Sequence, residues 1–295
     1  MKRLLITTLI FFLPLSAIFC QVINREFQDS RGRTILLGLS TYERLNEAPF
    51  NQWFSSNEDN YSTQKGDLET LKKSFGQVDS ITVFMGTWCG DSKREVPRLT
   101  KTLKALDFDF DKLKIICVNN AYNNYKQSPE NEQAGQNIHR VPTIILHNDK
   151  NEIGRIVEEP VATMEKDLLA IVSNTYEPNY QSVNLMEKYF VEKGFKWVDE
   201  NEQAVLAELK SVAKKYNELT TYSRVLLTSW RIKEAVTTLE INAKLFPDDE
   251  YAHIHLANTY LILGEYEKTE ACCQKALEIN PESKMANNLM SRTKS

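Results

Sequence analysis

The stretch FMGTWCGDSKREVP, Phe84–Pro97, joins two contrasting sequence patterns. It ends a run of β-branched and aromatic residues, SITVFMG, which predicts a short buried strand. It also begins the segment DSKREVPRLTKTLKAL, whose apolar residues recur every three or four positions and predict a helix that Pro97 kinks near its start. Cys89 therefore lies between a strand and a helix, and Ser92 stands three residues further on, where a second thiol could have been.

The pattern around this stretch is regular from residue 68 to residue 173. DLETLKKSF has helical spacing, LKIICVNN predicts a second buried strand, and the polar AYNNYKQSPENEQAGQNIH is expected to form a loop and a helix. VPTIILHND and NEIGRIVEE predict a strand pair that turns at Asp149–Asn151, and TMEKDLLAIVSN predicts a closing helix. Strands that alternate with helices predict an α/β unit whose first two strands are parallel.

Three features of this unit resemble the thioredoxin family in order and spacing. TWCGDS resembles that family's W-C-x-x-C loop, RVPT at Arg140–Thr143 resembles its cis-proline loop, and EIGRIV resembles its final hairpin with a glycine. The resemblance implies an α/β thioredoxin-like domain over residues 68–173, with a mixed central sheet flanked by helices.

The chemistry that this resemblance implies centres on Cys89. A cysteine at a helix N-terminus is a better nucleophile because unpaired backbone N–H groups and the helix dipole stabilise its thiolate. Cys89 and Ser92 are the catalytic candidates, and the serine hydroxyl is able to hydrogen-bond the thiolate. The resemblance also implies that Pro142 is cis beside Cys89, that the Val141 backbone pairs with an extended substrate, and that Arg140 flanks the entrance. The substrate-binding candidates are Trp88, Arg140, Val141, Pro142 and Thr143.

Two departures from the family limit the reaction. Ser92 replaces the resolving cysteine, and Val83 stands six residues before Cys89, where thioredoxins carry a buried acid. A mixed disulfide at Cys89 therefore persists until an outside thiol attacks it. The sequence predicts thiol–disulfide exchange of the isomerase or mixed-disulfide/deglutathionylation type. Its partners would be protein thiols or disulfides, or glutathione, and no cofactor or metal is predicted.

Other reactive groups are weaker candidates. Cys117 is the internal rival for the resolving role, but its alternation within the second strand predicts a buried, inert thiol. His139 is close enough to Pro142 in sequence to act as a base for Cys89, although we expect it to be solvated. Cys272 and Cys273 lie in the C-terminal half without a redox motif.

The N-terminus, MKRLLITTLIFFLPLSAIFCQ, has a basic start, an apolar core and a helix-breaking proline. This order predicts a secretory signal peptide over residues 1–20, with cleavage after Cys20 and a periplasmic or secreted protein. Lipoprotein processing at Cys20 fits less well because the bulky Phe19 precedes it, and an uncleaved N-terminal anchor is another alternative. Residues 21–67 are expected to form an extension without assigned chemistry, with a loop over residues 55–67.

A second domain follows a polar, proline-containing linker over residues 174–182. Residues 183–295 have a helical pattern, and similar residues recur at an interval of 34. That period is typical of the tetratricopeptide repeat, and it predicts an all-α domain with repeats at about residues 216–249 and 250–283. Matching positions include Ala235 with Thr269 and Pro247 with Pro281.

The composition is that of an ordinary globular protein. Its 295 residues are 42% hydrophobic and 26% charged, and they carry a net charge of -4 without a basic run. This balance argues against a nucleic-acid partner, and against a membrane partner apart from a lipid or signal anchor.

Tetratricopeptide repeats stack into a concave surface for partner proteins. The alternative function is therefore a non-catalytic protein-binding module.

Overall fold

The computed structural model describes residues 22–294, so the predicted signal peptide, residues 1–20, lies outside the described residues. A sheet domain comes first, and a helical region follows it. The sheet domain contains β1 (Arg25–Gln28), β2 (Thr34–Ser40), α1 (Tyr42–Leu45), α2 (Asn51–Asn60), α3 (Lys65–Ser74), β3 (Ser80–Met85), α4 (Gly90–Ala105), β4 (Leu113–Cys117), β5 (Thr143–Asn148), β6 (Asn151–Val157) and α5 (Met164–Val172). The helical region contains α6 (Gln181–Glu192), α7 (Phe195–Glu200), α8 (Glu202–Val212), α9 (Asn217–Thr228), α10 (Ile232–Leu245), α11 (Glu250–Ile262), α12 (Tyr266–Ile279) and α13 (Lys284–Arg292).

The sheet has the strand order β1-β2-β4-β3-β5-β6, and its β3–β4 pair is parallel while its other pairs are antiparallel. The predicted mixed sheet with a parallel first pair, flanked by helices, is confirmed. Residues 22–67, expected as a separate extension, supply two strands of this sheet, and Gly38 of β2 lies opposite Cys117 of β4. The run Ile35–Leu37 is buried, which gives β2 its place in the sheet.

The β5–β6 hairpin closes the other edge of the sheet. Asp149 and Lys150 form its two-residue turn with φ values of 49° and 66°. Two successive residues with positive φ give a turn whose twist matches that of the strands. The turn predicted at Asp149–Asn151 is therefore confirmed. In β6, a Cβ on Gly154 would stand 2.8 Å from a side-chain carbon of Ile171, so the glycine allows α5 to pack closely on the sheet.

The polar segment after α1 is helical as far as Asn60, so the loop predicted for residues 55–67 is wrong over its first part. Its helix, α2, buries Phe54 against the core. Asn57 donates its side-chain amide to the Lys93 carbonyl of α4 at 2.9 Å. That carbonyl lacks its usual helical donor because Pro97 has no N–H. A tertiary contact that local composition does not reveal thus favours this helix.

The two faces of the sheet carry hydrophobic cores of different size. The larger core lies against α2–α5 and includes Cys117 and Val83. The smaller core has Trp88 and Cys89 packed against it. Its buried residues are Phe84, Ile116, Val118, Ile138, Val141 and Ile145. Since successive side chains of a strand point to opposite faces, we call the two sides the Cys117 face and the Cys89 face.

The segment between β4 and β5 contributes Ile138 to the small core but forms no α-helix, contrary to the prediction for AYNNYKQSPENEQAGQNIH. A single 3₁₀ turn, Tyr122–Asn124, is its one helical element within the part of the chain that the structure describes. Positive φ values at Lys126, Asn131 and Asn137 interrupt a helical path.

The two predicted repeats each contain a helix pair, α9 with α10 and α11 with α12, and the helices of each pair pack together. Gly264 turns the chain between α11 and α12 with φ 77°, and Trp230, 34 residues earlier, has φ 62° at the matching turn. This left-handed conformation favours glycine, so the backbone of Trp230 is strained. No helix within residues 22–294 combines the length and hydrophobicity needed to cross a membrane.

The predicted linker, residues 174–182, is anchored to the sheet domain. The Tyr176 hydroxyl donates to Asp167 at 3.1 Å, and the Tyr180 hydroxyl donates to the Glu158 carboxylate. The helical region therefore starts from a point fixed beside the carboxyl end of β6.

Candidate functional site

Cys89 is the N-cap residue of α4, as the sequence predicts. Its backbone is extended, with φ −89° and ψ 131°, and its carbonyl accepts a hydrogen bond from the Lys93 N–H at 3.0 Å. The helix that follows has 16 residues, so its unpaired N–H groups and dipole favour negative charge at this position.

The Cys89 sulfur lies between two hydrogen-bond acceptors. Its Sγ is 3.3 Å from the Val141 carbonyl oxygen and 3.9 Å from Asp91 Oδ2. The Asp91 carboxylate is also paired with Arg94 at 3.0 Å. The thiol has a single hydrogen to donate to either acceptor, and neither acceptor offers a positive charge to a thiolate.

The loop beside Cys89 contains the predicted cis-proline, because the Val141–Pro142 peptide bond is cis. The Thr143 hydroxyl donates to the Arg140 carbonyl at 2.8 Å, and the Glu158 N–H donates to the Pro142 carbonyl at 2.7 Å. These two bonds fix the loop on both sides of the proline. Pairing of the Val141 backbone with a substrate stays a prediction.

Ser92 is fully buried, and its Oγ accepts a hydrogen bond from the Gly86 N–H at 3.1 Å. It thereby joins the start of α4 to the end of β3. Within residues 22–294 the structure gives no hydrogen bond between Ser92 and Cys89. Val83 is buried in the large core, between Ile115 and Ile144 of the neighbouring strands.

Trp88 is fixed beside Cys89 by its indole N–H, which donates to the Val118 carbonyl at 2.8 Å. A Cβ on Gly86 would lie 2.5 Å from the indole ring. The glycine of FMGTWC is therefore required for the position of Trp88, a role that the sequence pattern did not indicate.

Lys126 is the principal site residue that sequence reasoning missed. It is only 5% exposed, and its ammonium lies 5.7 Å from the ring centre of Trp88 and 4.8 Å from that of Tyr125. Burial lowers the pKa of Lys126 to about 8, and the negative charge of a Cys89 thiolate acts in the opposite direction. The two tyrosines and the adjoining lysine of AYNNYKQ are the signal that could have marked this segment.

Arg140 contacts the helical region. Its guanidinium pairs with Glu158 at 2.8 Å and donates to the Asn217 carbonyl and the Thr221 hydroxyl of α9, at 3.2 and 3.4 Å. It also lies over the Tyr180 ring at 4.5 Å. Arg140 thus joins the cis-proline loop to the helical region, while its expected effect on the Cys89 thiolate stays a prediction.

His139 is buried rather than solvated as expected. Its Nδ1 lies 3.2 Å from the Asn137 carbonyl, and its ring meets Tyr180 and Tyr222 edge-on. Burial lowers its pKa to about 3, so the ring is neutral at physiological pH. This histidine forms part of the junction between the two parts of the chain.

Of the other described thiols, Cys117 and Cys273 are buried, and Cys272 is partly exposed like Cys89. Burial raises the pKa of Cys117 to about 12, and the prediction that this thiol is buried is confirmed. Cys273 is fully buried in the helical region, and burial raises the pKa of the neighbouring Cys272 to about 11.

A cleft of about 330 Å³ opens where the segment before β5 meets α9 and α11. The Arg224 guanidinium stacks on the Tyr125 ring at 3.8 Å, and the Lys126 ammonium lies 4.8 Å from the centre of the same ring. We call this space the repeat cleft. Its lining includes Tyr122, Tyr125, Tyr216, Arg224, His255 and Asn258.

Comparison with known proteins bears on the helical region. Residues 250–283 match the family model of the tetratricopeptide repeat. The second predicted repeat is thereby confirmed, and the match indicates a protein-binding function. The first predicted repeat, residues 216–249, contains α9 and α10 and stays a prediction as a member of that family. No curated protein matches the chain.

Proposed function

We propose that this chain is an exported thiol–disulfide exchange protein of the thioredoxin-like type, with Cys89 as its nucleophile. The observation that carries the proposal is the position of Cys89 at the N-terminus of α4, partly exposed, with its Sγ 3.3 Å from the Val141 carbonyl. A helix N-terminus is a general means of stabilising a thiolate. Export rests on residues 1–20, and their signal-peptide pattern supports it.

The proposed reaction has two exchange steps. The Cys89 thiolate attacks a disulfide R–S–S–R′, the Cys89–S–S–R bond forms, and R′–S⁻ leaves with the electron pair of the broken bond. An outside thiol R″–SH then loses its proton and attacks the R sulfur. R–S–S–R″ forms, the Cys89 thiolate is regenerated, and the proton goes to R′–S⁻. The overall reaction exchanges thiol and disulfide without net oxidation or reduction.

The outside thiol is needed because residues 22–294 supply no resolving thiol near Cys89. Ser92 has a hydroxyl instead of a thiol, and Cys117 is buried on the opposite face of the sheet. When the outside thiol belongs to the same client, the reaction is an isomerisation. When R is a glutathionyl group, the reaction removes glutathione from the client.

In this proposal the repeat cleft binds the client. It is lined by tyrosine, histidine, asparagine and arginine, which offer both ring faces and hydrogen-bond donors to a polypeptide. Tyr125 lines the cleft, and the Lys126 ammonium lies between its ring and that of Trp88, at 4.8 and 5.7 Å, so the cleft adjoins the TWCGDS loop. A client segment in the cleft would present its disulfide close to the nucleophile.

The test uses purified protein beginning at residue 21, incubated with glutathione disulfide and analysed by intact mass and peptide mapping. We expect one added glutathionyl group on Cys89, its removal by a small external thiol, and no addition in Cys89→Ala. Cys272→Ala is the matched control and should react like the wild type. Equal glutathionylation of the wild type and Cys89→Ala would refute the proposal.

The second candidate, a binding module without turnover, is favoured by the family match over residues 250–283. It predicts that a partner peptide binds the repeat cleft equally well in the wild type and in Cys89→Ala, and that Cys89 forms no mixed disulfide. A Tyr216→Ala and Asn258→Ala double variant should weaken that binding in either case. Binding affinity and the mixed-disulfide yield, measured on the same preparation, separate the two candidates.

A further inference from the structure

Lys126 is unusual because it is buried beside the nucleophile without an ionic partner. Long cationic side chains are rarely buried unless they are paired. Among residues 22–294 the Lys126 ammonium has no ion pair and no hydrogen bond, and its closest described partners are the rings of Trp88 and Tyr125. A buried cation that lacks a carboxylate costs free energy, so the position calls for a compensating negative charge.

The backbone holds Lys126 firmly in this place. Its N–H donates to the Asn119 carbonyl at 2.8 Å, and the Asn119 N–H donates to the Gln127 carbonyl at 2.9 Å. Its φ of 58° turns the chain at this point. Lys126 is therefore part of a fixed, hydrogen-bonded turn that lies against Trp88.

The charges that act on Lys126 come from four residues. Arg140 and Arg224 are positive, and neither compensates its charge. Glu158 is negative, but its carboxylate pairs with Arg140 at 2.8 Å and accepts the Tyr180 hydroxyl. Cys89 is the remaining group, and it directly follows Trp88, whose ring centre lies 5.7 Å from the Lys126 ammonium. As a thiolate, Cys89 would supply the negative charge that Lys126 lacks.

A thiolate at Cys89 would in turn be stabilised by such a cation. The Val141 carbonyl and Asp91, which its Sγ contacts, offer no positive charge to a thiolate. Of the stabilising factors, the α4 N-terminus acts through partial charges, whereas Lys126 carries a full charge in a buried setting, where electrostatic interactions are stronger.

We propose that Lys126 is the cationic partner of the Cys89 thiolate and sets the pH at which Cys89 becomes reactive. This inference rests on the proposed exchange function and assigns a positioning role to a residue outside the TWCGDS loop. The resting thiol bonds to the Val141 carbonyl, and the thiolate is stabilised by the Lys126 ammonium when the proton leaves.

The helical region has a part in this arrangement. Gln127 donates its side-chain amide to the Thr228 carbonyl at the end of α9, and the Thr228 hydroxyl donates to the Tyr125 carbonyl at 3.3 Å. Arg224 of the same helix stacks on the Tyr125 ring. The helix α9 thus fixes the residues on both sides of Lys126, and the reactivity of Cys89 depends on the helical region.

The experiment follows the alkylation of Cys89 by iodoacetamide between pH 5 and pH 10, with peptide mapping to separate Cys89 from other thiols. In Lys126→Met we expect the midpoint of the pH–rate profile to rise by about one pH unit, with a roughly tenfold slower reaction below the midpoint. At high pH the two rates should converge. Lys126→Arg should keep the wild-type midpoint, and Lys150→Met, in the exposed β5–β6 turn, is the matched control for loss of one charge.

An unchanged midpoint in Lys126→Met would overturn the inference, and so would an equal loss of rate at every pH, which indicates a lost contact instead of a lost charge. Lys126→Gln provides a second neutral variant if the methionine variant does not fold. The two proposals fail separately. If wild-type Cys89 forms no mixed disulfide, exchange is refuted, and if it does so with a midpoint independent of Lys126, only this inference is refuted.

Discussion

The two faces of the sheet place a cysteine in contrasting environments. Cys117 in β4 lies within the large hydrocarbon core, where burial raises the pKa of its thiol to about 12. Cys89 lies against the small core, at a helix N-terminus and near a buried lysine. The two cysteines therefore differ in burial and in the charged groups around them.

The coverings differ in kind. Amphipathic helices α2–α5 cover the Cys117 face with apolar side chains, and the carboxylates that they bury, such as Glu58 and Glu165, are hydrogen-bonded or ion-paired. On the Cys89 face, an irregular segment and the start of the helical region bring ionisable groups into the interior, among them Lys126, His139 and Arg140. Buried ionisable groups without ionic partners cost stability and are common at functional sites, so Lys126 supports the proposal that the site lies on the Cys89 face.

The largest expected difference between the faces is in thiol accessibility. At pH 8 a thiol with the pKa of Cys117 holds only about one part in 10⁴ as thiolate, and burial also denies access to the reagent. We expect iodoacetamide to label Cys89 in the native protein and to label Cys117 only after denaturation. Mass spectrometry of peptides after native and denatured labelling measures both. Native labelling of Cys117 at the rate of Cys89 would remove the distinction.

The second difference is in acid stability. Because the pKa of His139 is lowered to about 3 in the folded protein, the unfolded chain binds a proton first as the pH falls below about 6.5. Stability that is present above that pH is lost towards pH 3, by about 3 kcal/mol at pH 4. Between pH 7 and pH 4, we expect the free energy of unfolding of His139→Phe to fall by that much less than that of the wild type, as measured by urea denaturation. An equal loss in both proteins would contradict it.

The third difference concerns Lys126. Burial lowers the pKa of Lys126 to about 8 in the folded protein, so the unfolded chain binds more protons between pH 8 and the ordinary pKa of lysine. The buried charge therefore lowers the free energy of unfolding below this range of pH, and that cost disappears above it. We expect Lys126→Met to stabilise the protein at pH 7 by about 2 kcal/mol, allowing for lost ring contacts, and to lose this gain above about pH 10. Denaturation midpoints at both pH values test this. Destabilisation at pH 7 would show that the lysine is structural.

The smallest difference concerns one glycine on each face. A Cβ on Gly154 meets Ile171 at 2.8 Å, so Gly154→Ala should destabilise the Cys117 face by about 1.5 kcal/mol through overpacking. A Cβ on Gly86 meets the Trp88 ring at 2.5 Å, so Gly86→Ala should displace the indole and slow the alkylation of Cys89. Thermal unfolding and the rate of Cys89 alkylation are measured on both variants. Gly154→Ala should lower stability, and Gly86→Ala should slow alkylation. The same change of rate in both would break the comparison.

Local patterns were enough to predict much of the fold. The cis peptide bond before Pro142 is present too, but the family resemblance implied it and no local pattern did. The parallel pair of strands, the hairpin at Asp149–Asn151 and the helix after Cys89 are present as local patterns predicted. Each depends on residues that are close in sequence, where strand and helix periodicity or a turn is decisive. The helix of residues 51–60 was missed because its packing on α4 is a contact between distant segments.

By itself, the sequence determined that Cys89 lies at a helix N-terminus without a second thiol nearby, and that a repeat covers residues 250–283. Only the tertiary structure decided what surrounds Cys89. It turned Arg140 towards α9 and buried Lys126 beside Trp88. The physical reason is that charge and burial at a site come from segments far apart in the chain, and periodicity carries no information about which of them meet.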